Sequence, residues 1–101
     1  MFGNMKEKQA EMQKKLAEIK VEGEAGDGAI KVTSNALRQI VDIKISPDFK
    51  YEEVEELEDL LLIAIQRATA KAVEIEQVEA QKMISEMLPP GFGDLGGMFG
   101  L

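Results

Sequence analysis

The chain has no cysteine, no histidine and no tryptophan. The first absence excludes disulfides. Together with the second it excludes zinc sites of the Cys/His type and any mechanism that uses a histidine base or a cysteine nucleophile. Four Phe and one Tyr leave little for stacking on bases. No apolar run approaches the ~18 residues of a membrane span, and the N-terminus lacks the basic-then-apolar layout of a signal peptide. From 101 residues the expectation is therefore one domain, soluble and cytoplasmic, with no membrane partner. Positive charge is also short, with 12 basic residues against 19 acidic and a net charge of −7. The deficit is local: the densest block of acid lies between Asp48 and Asp59, whereas residues 1–20 carry five lysines against three glutamates. Charge alone argues against a generic nucleic-acid binder, and any such contact must use a patch away from the acidic block.

Glycine and proline are absent from 51–87, and this stretch organises the chain. Strong helix formers fill it, acidic residues at its start suit the positive end of a helix dipole, and Pro89-Pro90-Gly91 stops it. At ~1.5 Å per residue it spans about 55 Å, longer than a compact globule of this size at about 35 Å. Its centre, Leu60-Leu61-Leu62-Ile63-Ala64-Ile65, is apolar on every side, which predicts burial on every side. A three-stranded sheet covers one side only, so a second copy of the chain is expected on the other. Leu57, Leu60, Leu61, Ile63, Ala64, Ile65 and Ala68 are the expected dimer core. Further on, the apolar positions thin to a stripe of Ala68, Ala72, Ile75, Val78 and Ala80 or Met83, as on a projecting arm.

Before the long helix, Met5, Gln9, Met12, Leu16 and Ile19 alternate spacings of four and three, which predicts a first helix over 5–20. Residues 21–25 alternate, Gly26-Asp27-Gly28 reads as a hairpin turn, and 29–33 alternate again. Ser34-Asn35-Ala36 predicts a second turn and 37–45 a third strand, with Leu37, Val41, Ile43 and Ile45 facing the long helix and Arg38, Ile40, Asp42 and Lys44 facing out. Gly26 and Gly28 open a strand, with no Lys-Ser/Thr after them, so they make no phosphate loop. Near 46–48, Asp48 or a neighbour is expected to cap a turn leading into the long helix. The fold class is α+β: helix, three-stranded antiparallel meander and long C-terminal helix (α-β-β-β-α), in an intertwined homodimer with helical arms. Residues 1–88 form the domain, and 89–101, with five glycines and two prolines around Phe92, Leu95, Met98, Phe99 and Leu101, form a flexible tail.

In this order, the chain resembles the YbaB/EbfC family of bacterial nucleoid-associated proteins. The resemblance covers nearly all of it: the Met-Phe-Gly start, 21–28, 30–33, 41–47, 56–60, Ala64, Ala68 and Ala72, and the Leu88-Pro89-Pro90-Gly91 end. It implies a tweezer-shaped homodimer that binds double-stranded DNA in the cytoplasm and nucleoid and influences nucleoid organisation and gene expression. Two departures stand out. Asn35-Ala36 replaces a frequent Asn-Gly and bears on turn geometry only, while Gln66-Arg67 replaces a frequent Asn-Asp and adds positive charge to the arm.

Charge and placement, not the resemblance, single out the expected phosphate contacts: Lys6, Lys8, Lys14 and Lys15 on the first helix, and Arg67, Lys71 and Lys82 on the second. Gln66, Gln77 and Gln81 would add polar contacts, and Lys31, Arg38 and Lys44 are second choices. Any one of these lysines is also accounted for as a solvated helix face, and mixed charge on a sheet as a solubility surface. A reading from another class is a protein-interaction adaptor that uses the acidic helix start and the apolar stripe. An enzyme is not expected: Glu52, Glu55, Glu56 and Asp59 lie one turn apart on an exposed helix start, where capping and solubility explain them, and raised carboxylate pKa values need burial. No cofactor, metal or small-molecule substrate is expected.

Overall fold

The computed structural model describes residues 2–87, with side chains from Lys6 to Glu86; the expected tail lies outside the described residues. The order is α1 (Phe2–Glu18), β1 (Lys20–Ala25), β2 (Ile30–Asn35), β3 (Ile40–Ile45) and α2 (Val54–Met87). The strands form one antiparallel sheet in the order β1-β2-β3. This is the expected α-β-β-β-α succession. α2 is 34 residues long, about 51 Å at ~1.5 Å per residue, and the molecule measures 60 × 29 × 17 Å. Among the described residues, no helix is long and apolar enough to cross a membrane.

A row of small residues brings α2 onto the sheet. Ala64, Ala68 and Ala72 recur every four residues, share one face, and are fully buried. Opposite them on β1 is Gly23, where a Cβ would collide with the Ala64 carbonyl oxygen and the Ala68 amide nitrogen. Ile30 and Val32 of the central strand, both fully buried, complete the core with Ala25, and Phe49, Leu57, Leu60, Leu61 and Ile65 pack at its margin. Burying each of the two β2 side chains contributes about 1.5–3 kcal/mol relative to leaving it in water.

The first hairpin is as expected: Gly26, Asp27 and Gly28 all have positive φ, and the Ala29 N–H donates to the Gly26 carbonyl at 3.1 Å. The second turn differs. β2 runs on to Asn35, the turn spans 36–39, and β3 starts at Ile40 instead of Leu37. The cause is the Asn35 side chain, whose Oδ1 accepts the N–H groups of Leu37 (2.9 Å) and Gln39 (3.0 Å) and so wraps the turn around itself. Asn35 is buried, which fixes this arrangement. α1 meets the same corner, because the Ala36 N–H donates to the carbonyls of Leu16 and Ile19, both at 3.0 Å. α1 also begins earlier and ends earlier than its periodicity predicts, since Lys20 joins β1. Leu16 is buried, Met12 and Ile19 are half-buried, and Gln9 is exposed. Before α2, Ser46 caps the turn, its Oγ accepting the Asp48 N–H at 3.3 Å.

The facing of β3 departs most from expectation. Thr33 pairs with Asp42 but Ser34 pairs with Ile40, so Val41 is the extra residue of a bulge. Paired residues share a face, and Ile30 pairs with Ile45, Val32 with Ile43 and Ser34 with Ile40. Ile40 therefore sits on the helix side with Ile43 and Ile45, not on the polar side. Nor does α2 cover this face: it lies over β1 and β2, and all of β3 is exposed. One helix about 10 Å wide spans two strands spaced ~4.8 Å apart, not three.

Candidate nucleic-acid interface

α2 runs opposite to β1: Leu60 lies by Gly26, Ala64 and Ala68 by Gly23, and Lys71 by Glu22. This direction sorts the charge. The start of α2 and the segment before it, residues 48–59, carry seven acids and one lysine, and thus six of the seven net negative charges. The far half of α2 lies at the other end, beside α1 with its lysines. There Lys8, Glu11, Met12 and Lys15 of α1 and Glu79, Lys82, Met83 and Glu86 of α2 line an open groove of about 170 Å³.

The expected phosphate contacts do not form one surface. Lys8, Lys15 and Lys82 share the groove. Lys6 and Lys14 are exposed elsewhere on α1 and, among the described residues, have no carboxylate within ion-pair distance. Arg67 and Lys71 are engaged otherwise. The Arg67 guanidinium donates to the Glu24 carbonyl and the Lys71 ammonium to the Glu22 carbonyl, each at 2.7 Å. β1 pairs with β2 on one side only, so these carbonyls belong to its open edge, and the two cations cover it. Of the second choices, Lys31 and Lys44 stand directly opposite each other on the outer sheet face, with Lys31 3.7 Å from Glu24, and Arg38 at the second turn lies 3.5 Å from Glu76. Gln66, Gln77 and Gln81 are exposed.

The tightest ion pair joins the two helices. Lys15 Nζ is 2.6 Å from Glu79 Oε2, and Lys82 Nζ is 3.4 Å from the other oxygen, Oε1. The hydrogen bond from Lys15, reinforced by its charge, holds the Glu79 carboxyl below the usual carboxylate range, and the same bond raises the pKa of Lys15. Glu79 is missed by a search for cations. Its spacing of three from Lys82 was legible, but its contact with Lys15, 64 residues away, was not.

The expected dimer-core residues divide similarly. Ala64 and Ala68 are buried under the chain's own β1, Leu57, Leu60, Leu61 and Ile65 are half-buried at the core margin, and Ile63 is exposed at 37%. Leu62, at 55%, and the β3 residues Val41, Ile43 and Ile45, at 41–51%, are the larger uncovered apolar surface.

The family model described as the YbaB/EbfC DNA-binding family matches residues 1–87. The chain belongs to this family. A nucleoid-associated protein of Neisseria meningitidis serogroup C is 41% identical over 97 residues, covering 93% of this chain and 83% of that protein. A nucleoid-associated protein of Chloroflexus aurantiacus is 39% identical over 100 residues, covering 98% and 92%. The fold is similar to that of an uncharacterized Helicobacter pylori protein, with a TM-score of 0.72, 82% of this chain and 88% of that chain covered, and 22% identity. In this YbaB/EbfC member the charge is polarised, with the acid at the start of α2 and the α1 lysines at the other end.

Proposed function

We propose that this protein is a non-enzymatic, homodimeric nucleoid-associated DNA-binding protein of the cytoplasm and nucleoid, which contacts duplex phosphates through the lysine-bearing end and influences nucleoid organisation and gene expression. Membership of a DNA-binding family over residues 1–87 carries the reading. The separation of charge supports the choice of surface, because approach by the α1 end keeps the acidic block farthest from the polyanion. Lys6, Lys8 and Lys14 are the cleanest candidates, being exposed and without an ion-pair partner among the described residues. Arg67 and Lys71 reach DNA only by leaving the β1 edge.

The uncovered apolar surface supports the homodimer. Leu62 and Ile63 of α2 and Val41, Ile43 and Ile45 of β3 are apolar side chains exposed on one protomer that a second copy would cover. The test is a salt titration of binding to a short labelled duplex of mixed sequence, run beside a mass determination in solution. The expected result is a dimer whose affinity falls steeply with salt and is weakened by Lys14→Glu. A monomeric mass would remove the dimer. Salt-insensitive, weak binding with a protein partner co-purifying would move the function to the adaptor reading.

A further inference from the structure

The groove between α1 and the far half of α2 holds a carboxylate where a phosphate would fit. The Glu79 side chain is 12% exposed, whereas its two partners Lys15 and Lys82 are 58% and 61% exposed. The carboxylate thus sits at the floor, with the ammonium groups turned in on it. Carboxylate and phosphate oxygens accept charge-assisted hydrogen bonds from lysine at the same distances. Lys8 lines the same groove as a third cation, and Glu11 and Glu86 bring its formal charge to zero. Glu86 makes no ion pair among the described residues. Among the described residues, only Glu79 engages two lysines.

We propose that Glu79 is a built-in competitor for DNA backbone phosphate: it occupies Lys15 and Lys82, and a phosphate oxygen must displace it before these lysines contact the duplex. The inference rests on the DNA-binding reading and adds a residue that lowers affinity from within. Two consequences follow. First, the wild-type protein uses fewer phosphate contacts than its exposed lysines suggest, because two of them begin neutralised. Second, neutralising Glu79 changes affinity through Lys15 and Lys82, whereas neutralising Glu86 in the same groove removes an equal charge without freeing a lysine.

The experiment compares wild type, Glu79→Gln, Glu86→Gln and the double variant Glu79→Gln/Lys15→Ala, each first shown by circular dichroism to be folded, in salt titrations on one labelled duplex. Expected is a rise in affinity for Glu79→Gln of roughly tenfold at low salt. Its salt slope should steepen by up to about 1.8, near 0.9 for each further phosphate that a freed lysine neutralises. The rise should be several-fold smaller for Glu86→Gln and largely lost in the double variant. Glu79→Ala, which removes the residual amide acceptor, should behave as Glu79→Gln or more strongly. Equal increases for Glu79→Gln and Glu86→Gln would overturn the proposal while leaving DNA binding intact, since net charge alone would then explain them. A loss of affinity on neutralising Glu79 would also overturn it, by showing that the carboxylate positions the lysines for DNA. Absence of binding in wild type and every variant at low salt would defeat the DNA reading and this proposal together.

Discussion

β1 and β3 are both outer strands of one small sheet, and they are finished differently. β1 lies under α2 so closely that Gly23 has no room for a Cβ, and its open edge is covered by Arg67 and Lys71. β3 carries Ile40, Val41, Ile43 and Ile45, all exposed, with no helix above them. The difference does not lie in strand composition, since β3 is the more hydrophobic of the two. It lies in the width of a helix and in the residues at its contact. A row of alanines against a glycine draws α2 to the β1 side, and what is drawn there cannot also cover β3. The chain thus covers one outer strand with its own helix and leaves the other exposed.

Gly23→Ala breaks the closed side and should have the largest effect. The added methyl meets backbone atoms of Ala64 and Ala68, which cannot rotate away as a side chain could. α2 must lift from β1, loosening the alanine contact and the two hydrogen bonds at the edge together. A loss of about 3 kcal/mol or more is expected, at the upper end for overpacking, read as the urea midpoint. An unchanged midpoint would mean that β1 and α2 are not in backbone contact.

The cross-strand pair Ile30 and Ile45 sharpens the comparison, because both are isoleucines in one register on one face. Ile30 is fully buried and Ile45 is 41% exposed. Ile30→Ala should cost about 2–5 kcal/mol at any protein concentration. Ile45→Ala should cost under about 1 kcal/mol in the separate protomer, where it is a surface change. If a second copy covers β3, a further loss should appear for Ile45→Ala, and it should grow with protein concentration because dimerisation stabilises by mass action. Equal costs at high dilution would contradict the open state of β3 in the protomer.

Much of this was legible in the sequence. The absence of Gly and Pro from 51–87 marked α2, and Gly26-Asp27-Gly28 marked the first hairpin, because both signals are local. The second turn was misplaced because it depends on the buried Asn35 side chain reaching two backbone N–H groups beyond it. The facing of β3 failed by one residue, since a bulge inverts alternation and leaves no mark in composition. For the candidate site residues, the sequence shows charge but not availability. Arg67 and Lys71 look like any exposed cations in the sequence, and only the fold aims them at the carbonyls of Glu24 and Glu22. Ala64 and Ala68 look like part of a dimer seam, yet the chain's own Gly23 takes them.

The contact of α1 with α2 is a third kind of boundary, bridged by the Lys15–Glu79 ion pair, and it should respond to pH where the alanine–glycine contact does not. The hydrogen bond from Lys15 depresses the pKa of Glu79, so its contribution to stability is fully present above the unfolded carboxylate pKa of about 4.3 and is lost as pH falls through the lower folded value. Lys15 is raised, so its contribution is present below the ordinary lysine pKa and is lost as pH rises through the higher folded value. Between these limits the pair is constant. The effect should be small, because the lysines are more than half exposed and solvent screens such pairs. It is best read as the difference in thermal midpoint between wild type and Glu79→Gln. That difference should be largest near neutral pH and should shrink toward zero as pH drops below about 4. The β1 side contains no titrating group in its core of Ala25, Ile30, Val32, Ala64 and Ala68, so Ile30→Ala should keep the same cost across this range. A Glu79→Gln difference that is equally flat would mean that the carboxylate makes no charge-dependent contact between the helices.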